Sequence, residues 1–433
     1  MLLFTNTTSP RLTYISNFIG NEIGDKNFEI TSDKNYFFNY EGLKINYSNT
    51  PICTNEFRIE NVSLLFESEI TEQKIACFQI ENCKAFFKTN GDYPFDIFAA
   101  SFYLLSRYEE YYPHQKDKYG RYAHENSLAF KENFLHHPLV NIWIEDFKKT
   151  IQQKFPTHQF AKHEFSFLLT YDIDEAFAYL HKSWWRTVGA IAKAIYLGQW
   201  NNIYKRIKVL IVTKDDPYDS FSWMDELNEK YALHPIYFFL VASKNGRRDK
   251  NILPTANALQ KLIYRLSQKY FFGIHPSWQT GDDKKLLQNE INTLETITKK
   301  KPRASRQHYL RFSLPQTFRD LQETGITDDY SMGYGTTNGF RASVASSFFW
   351  YDLQNENISS LKLHPFCLMD ATFFHQQKLT IEKATEEMQS YFKEVKAVNG
   401  QLIFIAHNNY LGTEEFYKGW KEKFEQFICS IKN

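Results

Sequence analysis

Two aspartates stand one residue apart at the end of an apolar run in FSFLLTYDIDEAF, residues 165–177. Phe165 to Thr170 reads as a buried strand, and Asp172, Asp174 and Glu175 follow it at once. Carboxylates this close repel, and each costs on the order of several kcal/mol to desolvate unless something positive compensates. A metal, an arginine or water can do so. Aspartate also caps turns, but two caps at one turn would be redundant. Further polar residues close or occupy other apolar runs: His275 in FFGIHPS, Arg306 and His308 in RASRQHYL, Asp329 in TDDYSM and His407 in QLIFIAHN. These residue types suit metal-assisted hydrolysis. Carboxylate and imidazole hold a cation, a free carboxylate takes a proton from water, and histidine protonates a leaving group.

The elements that must position them alternate. Strands are expected at 165–171, 234–242, 271–277, 303–310, 327–332, 360–366 and 401–408. Helices lie between most of them, with apolar stripes such as Leu259, Leu262, Ile263 and Leu266, or Leu287, Ile291, Leu294 and Ile297. This alternation implies a parallel sheet, closed into a barrel or open. The polar residues gather at strand ends, and in such folds the C-terminal ends share one face. Before residue 160 the pattern differs. Short strand candidates (RLTYISNFI, NYFFNY, LKINYS, FRIENVSLLF, KIACFQI, CKAFF) precede helices over 94–112 and 138–153. Residues 1–160 read as a separate α/β domain and 161–433 as the second. Arg107, Glu109, Glu110 and Arg121 are expected to form a salt network where the two meet.

The formal net charge of +1 over 433 residues gives no bulk field toward nucleic acid or membrane. The five cysteines are odd in number and scattered, which fits reduced thiols in a cytoplasmic protein. No signal peptide is read at the start, and no run is apolar for long enough to span a bilayer.

TYDID (170–174), HPSWQ (275–279), RQH (306–308) and IAH (405–407), in that order, resemble the motifs of the polysaccharide deacetylases, the NodB-homology carbohydrate esterases. The wording resembles a Bacteroidetes branch with an uncharacterised N-terminal domain. The resemblance covers roughly residues 165–410. It implies a distorted (β/α) barrel of about seven parallel strands and a divalent metal, most often zinc. It also implies removal of acetyl groups from a sugar of a surface glycan or its precursor. Residue by residue, it makes Asp172 the general base, Arg306 the partner of that base and His407 the general acid. Asp174 and His275 become metal ligands. Gln279 stands where a second motif histidine belongs, and His308 stands where a proline belongs, so His308 is the candidate to replace the lost imidazole. The missing histidine also motivates an alternative, a catalytically degenerate glycan-binding protein.

Trp278, Arg341 and Asp370 are the candidate substrate contacts, with Asp370 equally able to cap a turn. A helical insertion is expected at 181–213. Its core, 184–213, mixes Trp, Ile and Leu with Arg186, Lys193, Lys205, Arg206 and Lys208. It reads as a helical pair packed on its own domain, or as a peripheral membrane contact.

Overall fold

The computed structural model describes residues 1–24, 26–81, 83–211 and 215–432. The N-terminal part carries a four-stranded parallel sheet of β1 (Leu2–Phe4), β2 (Glu29–Thr31), β3 (Lys44–Tyr47) and β4 (Phe57–Ile59), in the order β2-β1-β3-β4. The hairpin β5 (Phe78–Ile80) and β6 (Cys83–Ala85) follows. Two expected strands are helices instead. RLTYISNFI lies in the helix Pro10–Gly24, where Leu12, Ile15, Ile19 and Ile23 are buried at helical spacing. Pro10 opens it, and Ser9 Oγ accepts the Leu12 N–H at 3.0 Å. All of NYFFNY but its last residue, Tyr40, lies in the helix Lys34–Asn39, capped by Asp33.

The second part is built on nine strands: β7 (Ser166–Ile173), β8 (Ile236–Phe239), β9 (Phe271–Ile274), β10 (Ala304–Ser305), β11 (Asp328–Asp329), β12 (Phe348–Asp352), β13 (Asn357–Leu363), β14 (Leu368–Met369) and β15 (Gln401–His407). They run β12-β13-β11-β10-β9-β8-β7-β15-β14. Every neighbouring pair is parallel except β12–β13. The expected barrel is therefore corrected to an open sheet with edges at β12 and β14. The antiparallel β12 closes one side of the parallel array, and the N-terminal part covers it. Tyr14 Oη donates to Phe349 O at 2.8 Å, and the Tyr14 and Tyr351 rings lie 5.0 Å apart. The insertion forms the helices Trp184–Tyr196 and Trp200–Leu210; positions 212 and 213 of the segment lie outside the described residues.

Charged residues also join the two parts. Glu110 accepts from Arg341 Nε at 2.8 Å and Nη2 at 2.6 Å, and from Arg107 Nε at 2.7 Å. All three side chains are buried. Arg341 is thus a structural tie between the parts, and the expectation that it contacts substrate is corrected: its guanidinium is spent on Glu110 and Gly333 O. Burial alone would raise the Glu110 carboxyl; Arg341 and Arg107 overcome this and lower it to about 2. Glu110→Ala is expected to destabilise the protein by about 3–5 kcal/mol, because it strands buried guanidinium charge. The native pKa lies below the unfolded one, so this contribution is full above the ordinary Glu range. It fades as pH falls toward 2. Thermal melts of both proteins at neutral pH and near pH 3 should show the gap narrowing in acid.

Candidate active site

Side chains alternate along a strand, so Thr170, Asp172 and Asp174 leave the end of β7 on one side. Register brings the rest to them. His407 on β15 pairs directly with Asp172. His275 follows the end of β9 and Arg306 follows β10. His308 opens a 3-10 turn, His308–Leu310, in which Tyr309 and Leu310 both take left-handed backbone, φ 59° and 54°. For non-glycine residues this costs about 1–3 kcal/mol each, strain of a kind that clusters at functional sites.

Arg306, fully buried, donates from Nη1 to Asp172 Oδ1 at 2.8 Å and to Thr170 Oγ1 at 2.7 Å. Three imidazoles then surround Asp174. His275 Nε2 lies 3.0 Å and His308 Nε2 3.5 Å from Asp174 Oδ1, and His407 Nε2 lies 3.6 Å from Oδ2. Each Nδ1 is held by an acceptor: Arg306 O for His275 at 2.5 Å, Asp249 Oδ1 for His308 at 2.9 Å and Asp370 Oδ1 for His407 at 2.6 Å. A carbonyl or carboxylate oxygen can only accept, so Nδ1 carries hydrogen and Nε2 faces Asp174.

One ligand atom from each of Asp174, His275 and His308 lies within 4.8 Å of the other two. Two imidazoles and a carboxylate match a zinc-type donor set that keeps an open position. Asp174 Oδ1 is buried and accepts no hydrogen bond, as expected of an oxygen reserved for a cation. The residues therefore fit a divalent metal. Burial would raise the Asp174 carboxyl, but His308 and His275 hold it well below the usual range. Burial would lower His407, but Asp370 raises it to about 9.

Gln279 does not enter the cluster. It is exposed, and its Nε2 donates to Asp249 Oδ2 at 3.1 Å. Asp249 also accepts the Trp278 N–H at 2.8 Å. The segment that should have supplied a second histidine instead braces the carboxylate behind His308. The Trp278 ring lies under Arg248, 3.5 Å from its centroid, and edge-on to Tyr309; it does not line the cleft, against expectation, because the arginine covers it. Asp370 is also corrected as a substrate contact: it is fully buried, and both its oxygens are taken, by His407 and by backbone N–H groups. Asp329 is fixed by Ser305 and Ser331 and stays out of the site.

The cleft over the cluster measures about 330 Å³ and is walled by Tyr218, Tyr309, Tyr410 and Lys250, among others. A larger groove, about 820 Å³, runs beside the β5–β6 hairpin. It lacks a comparable convergence, and charged residues there pair off, as Lys84–Glu132 and His137–Glu394 do. The N-terminal part reaches the smaller cleft through Tyr119 and Arg121, whose Nη1 donates to Tyr309 O at 2.5 Å. Sequence reasoning missed this wall and missed Asp249. The one available signal for Asp249 was an acidic residue in the loop after β8, at the functional end of the sheet.

Residues 1–156 match a family of unknown function, DUF7033. No curated protein matches the chain. Among solved structures, the chain is similar to a candidate polysaccharide deacetylase from Mycobacterium smegmatis, with TM-score 0.41 and 12% identity over 63% of this chain and 85% of that one. It is also similar to the polysaccharide deacetylase Bc1974 from Bacillus cereus, with TM-score 0.32 and 9% identity over 62% and 88%. A 4-alpha-glucanotransferase from Thermococcus litoralis gives TM-score 0.38 and 11% identity over 63% and 38%.

Proposed function

We propose that this protein is a metal-dependent hydrolase that removes acetyl groups, in the first place from nitrogen, from a sugar of a surface glycan or its precursor. The observation that carries the reading is the Asp174–His275–His308 cluster flanked by two differently held groups, Asp172 on Arg306 and His407 on Asp370. A divalent metal, zinc by donor type, would be held by the cluster and would polarise the acyl carbonyl and acidify water. Asp172 takes the proton of the attacking water, and Arg306, donating to its Oδ1, holds it in place. His407, as the imidazolium, gives the Nε2 proton to the leaving amine, and Asp370 on Nδ1 orients the ring and stabilises that charged form. A cleft of about 330 Å³ is at the small end of ligand sites, enough for one acetylated sugar with the rest of the glycan outside. The non-catalytic alternative rested on the missing motif histidine. The cluster offers three donors without it, so that alternative loses its motive.

Metal analysis of protein purified without chelator, with acetate release measured on a panel of N-acetylated sugars, tests the reading. One zinc per chain with acetate release supports it. Glycan binding with neither metal nor acetate release overturns it.

His407→Ala should lower turnover by roughly 10²–10⁴-fold on amides and leave the metal bound. An acetate ester has a better leaving group and needs less protonation, so its loss should be smaller. Equal losses on both would assign His407 a positioning role instead.

A further inference from the structure

Residues 176–214 contain seven lysines and arginines and no aspartate or glutamate. Within this stretch the helices Trp184–Tyr196 and Trp200–Leu210 pack on each other as a hairpin. Of the twenty large apolar side chains that are exposed among the described residues, eleven lie between 184 and 211.

They are arranged, not scattered. Trp184, Val188 and Ile195 fall on one helical stripe, and Trp200, Tyr204 and Ile211 fall on another. A stripe of this kind ordinarily packs on the core with the charged face outward. Here the order is reversed. Trp184 is 77% exposed, Trp200 66% and Ile211 63%. Two of the cations are engaged beneath the stripes, Arg206 4.7 Å over the Tyr179 ring and Lys205 3.9 Å from Glu414, while Lys193 is exposed beside them. Soluble monomers rarely expose apolar patches of this extent without a use.

We infer that the hairpin is a docking face for an anionic lipid bilayer. Aromatic and aliphatic side chains on a basic, acid-free hairpin are the composition that enters the headgroup boundary. Among the described residues no helix is long and apolar enough to cross a membrane, so the hairpin lies on the surface. A second copy of the chain is the competing occupant of the face, and it would bring the same basic, acid-free segment against its own image.

The position of the hairpin adds a consequence that rests on the deacetylase reading. The insertion begins shortly after Asp174, and Arg186 Nη2 donates to the backbone O of Lys250 at 2.9 Å. The Lys250 side chain lines the cleft. Docking would hold the mouth of the cleft at the bilayer, where a glycan carried on a lipid would meet it.

The test is co-sedimentation of the full chain with phosphatidylcholine vesicles and with vesicles part of whose lipid is phosphatidylglycerol. No substrate or metal is needed, so the result is independent of the enzymatic reading. The wild type should pellet with the anionic vesicles, and less so as salt rises. The Trp184→Ser/Trp200→Ser double variant should lose at least about tenfold in partition. Lys193→Glu, at an exposed residue on the same helix, should weaken binding to anionic vesicles and leave any binding to neutral ones unchanged. The circular dichroism spectrum and the thermal melt of both variants should match the wild type, which shows that they fold. Absence of vesicle binding by the wild type overturns the inference. So does a stable dimer that the double serine variant dissociates while vesicle binding is nil.

Discussion

Asp172→Asn should lower turnover by roughly 10²–10⁴-fold while zinc content stays at the wild-type level. The expected split between chemistry and binding follows from position. Asp172 Oδ2 is 3.9 Å from His275 Nε2, outside the Asp174–His275–His308 set, and its Oδ1 is engaged by Arg306. Asparagine keeps an acceptor for Arg306 but cannot take a proton from water. Arg306 also donates to Thr170 Oγ1 and Tyr330 O and lies over the Phe238 ring, so the buried guanidinium keeps other partners. A thermal melt separates any residual loss of stability from the loss of rate. Near-full activity in a folded, zinc-loaded Asp172→Asn protein would remove the base assignment. Loss of zinc along with rate would make Asp172 a ligand or its direct support.

The candidate site was largely legible because it lies on a sheet whose spacing is local information. The one-residue gap between Asp172 and Asp174 states that they share a side, and an apolar run ending in His275 or His407 states that each closes a strand. Where an interaction depends on a distant segment, the sequence was silent. Asp249 sits in a loop after β8, and only the folded chain brings it to His308 at 2.9 Å. Arg341 stands in a loop and was a candidate substrate contact; its partner, Glu110, lies 231 residues earlier. Barrel closure was misjudged for the same reason. Alternating strands and helices specify a parallel sheet, but whether its edges meet depends on what covers them, and here Tyr14 of the N-terminal part reaches β12. RLTYISNFI was a strand candidate, although Leu12, Ile15 and Ile19 keep helical spacing and Ser9-Pro10 is a helix start signal.

The largest effect on metal binding is expected at His308. His308→Ala removes one of two imidazoles from the cluster and should weaken zinc binding by more than about 100-fold, beyond the 10–100-fold usual for a supporting residue. Asp249→Asn should fall within that smaller range, because the amide still accepts from Nδ1 but no longer carries the charge that raises the basicity of the ring. The revealing variant is Gln279→His in the His308→Ala background. By motif position it restores an imidazole. By geometry it cannot, because the Gln279 amide reaches Asp249 at 3.1 Å, and Asp249 stands behind His308 rather than beside Asp174. The double variant should therefore bind zinc no better than His308→Ala alone. Competition titrations with a chromophoric chelator rank the four proteins. If His308→Ala binds zinc like the wild type, His308 is not a ligand and the third donor lies elsewhere. If Gln279→His rescues it, the turn at Trp278–Asp282 can swing toward the cluster, and the brace on Asp249 is not what holds Gln279 outside.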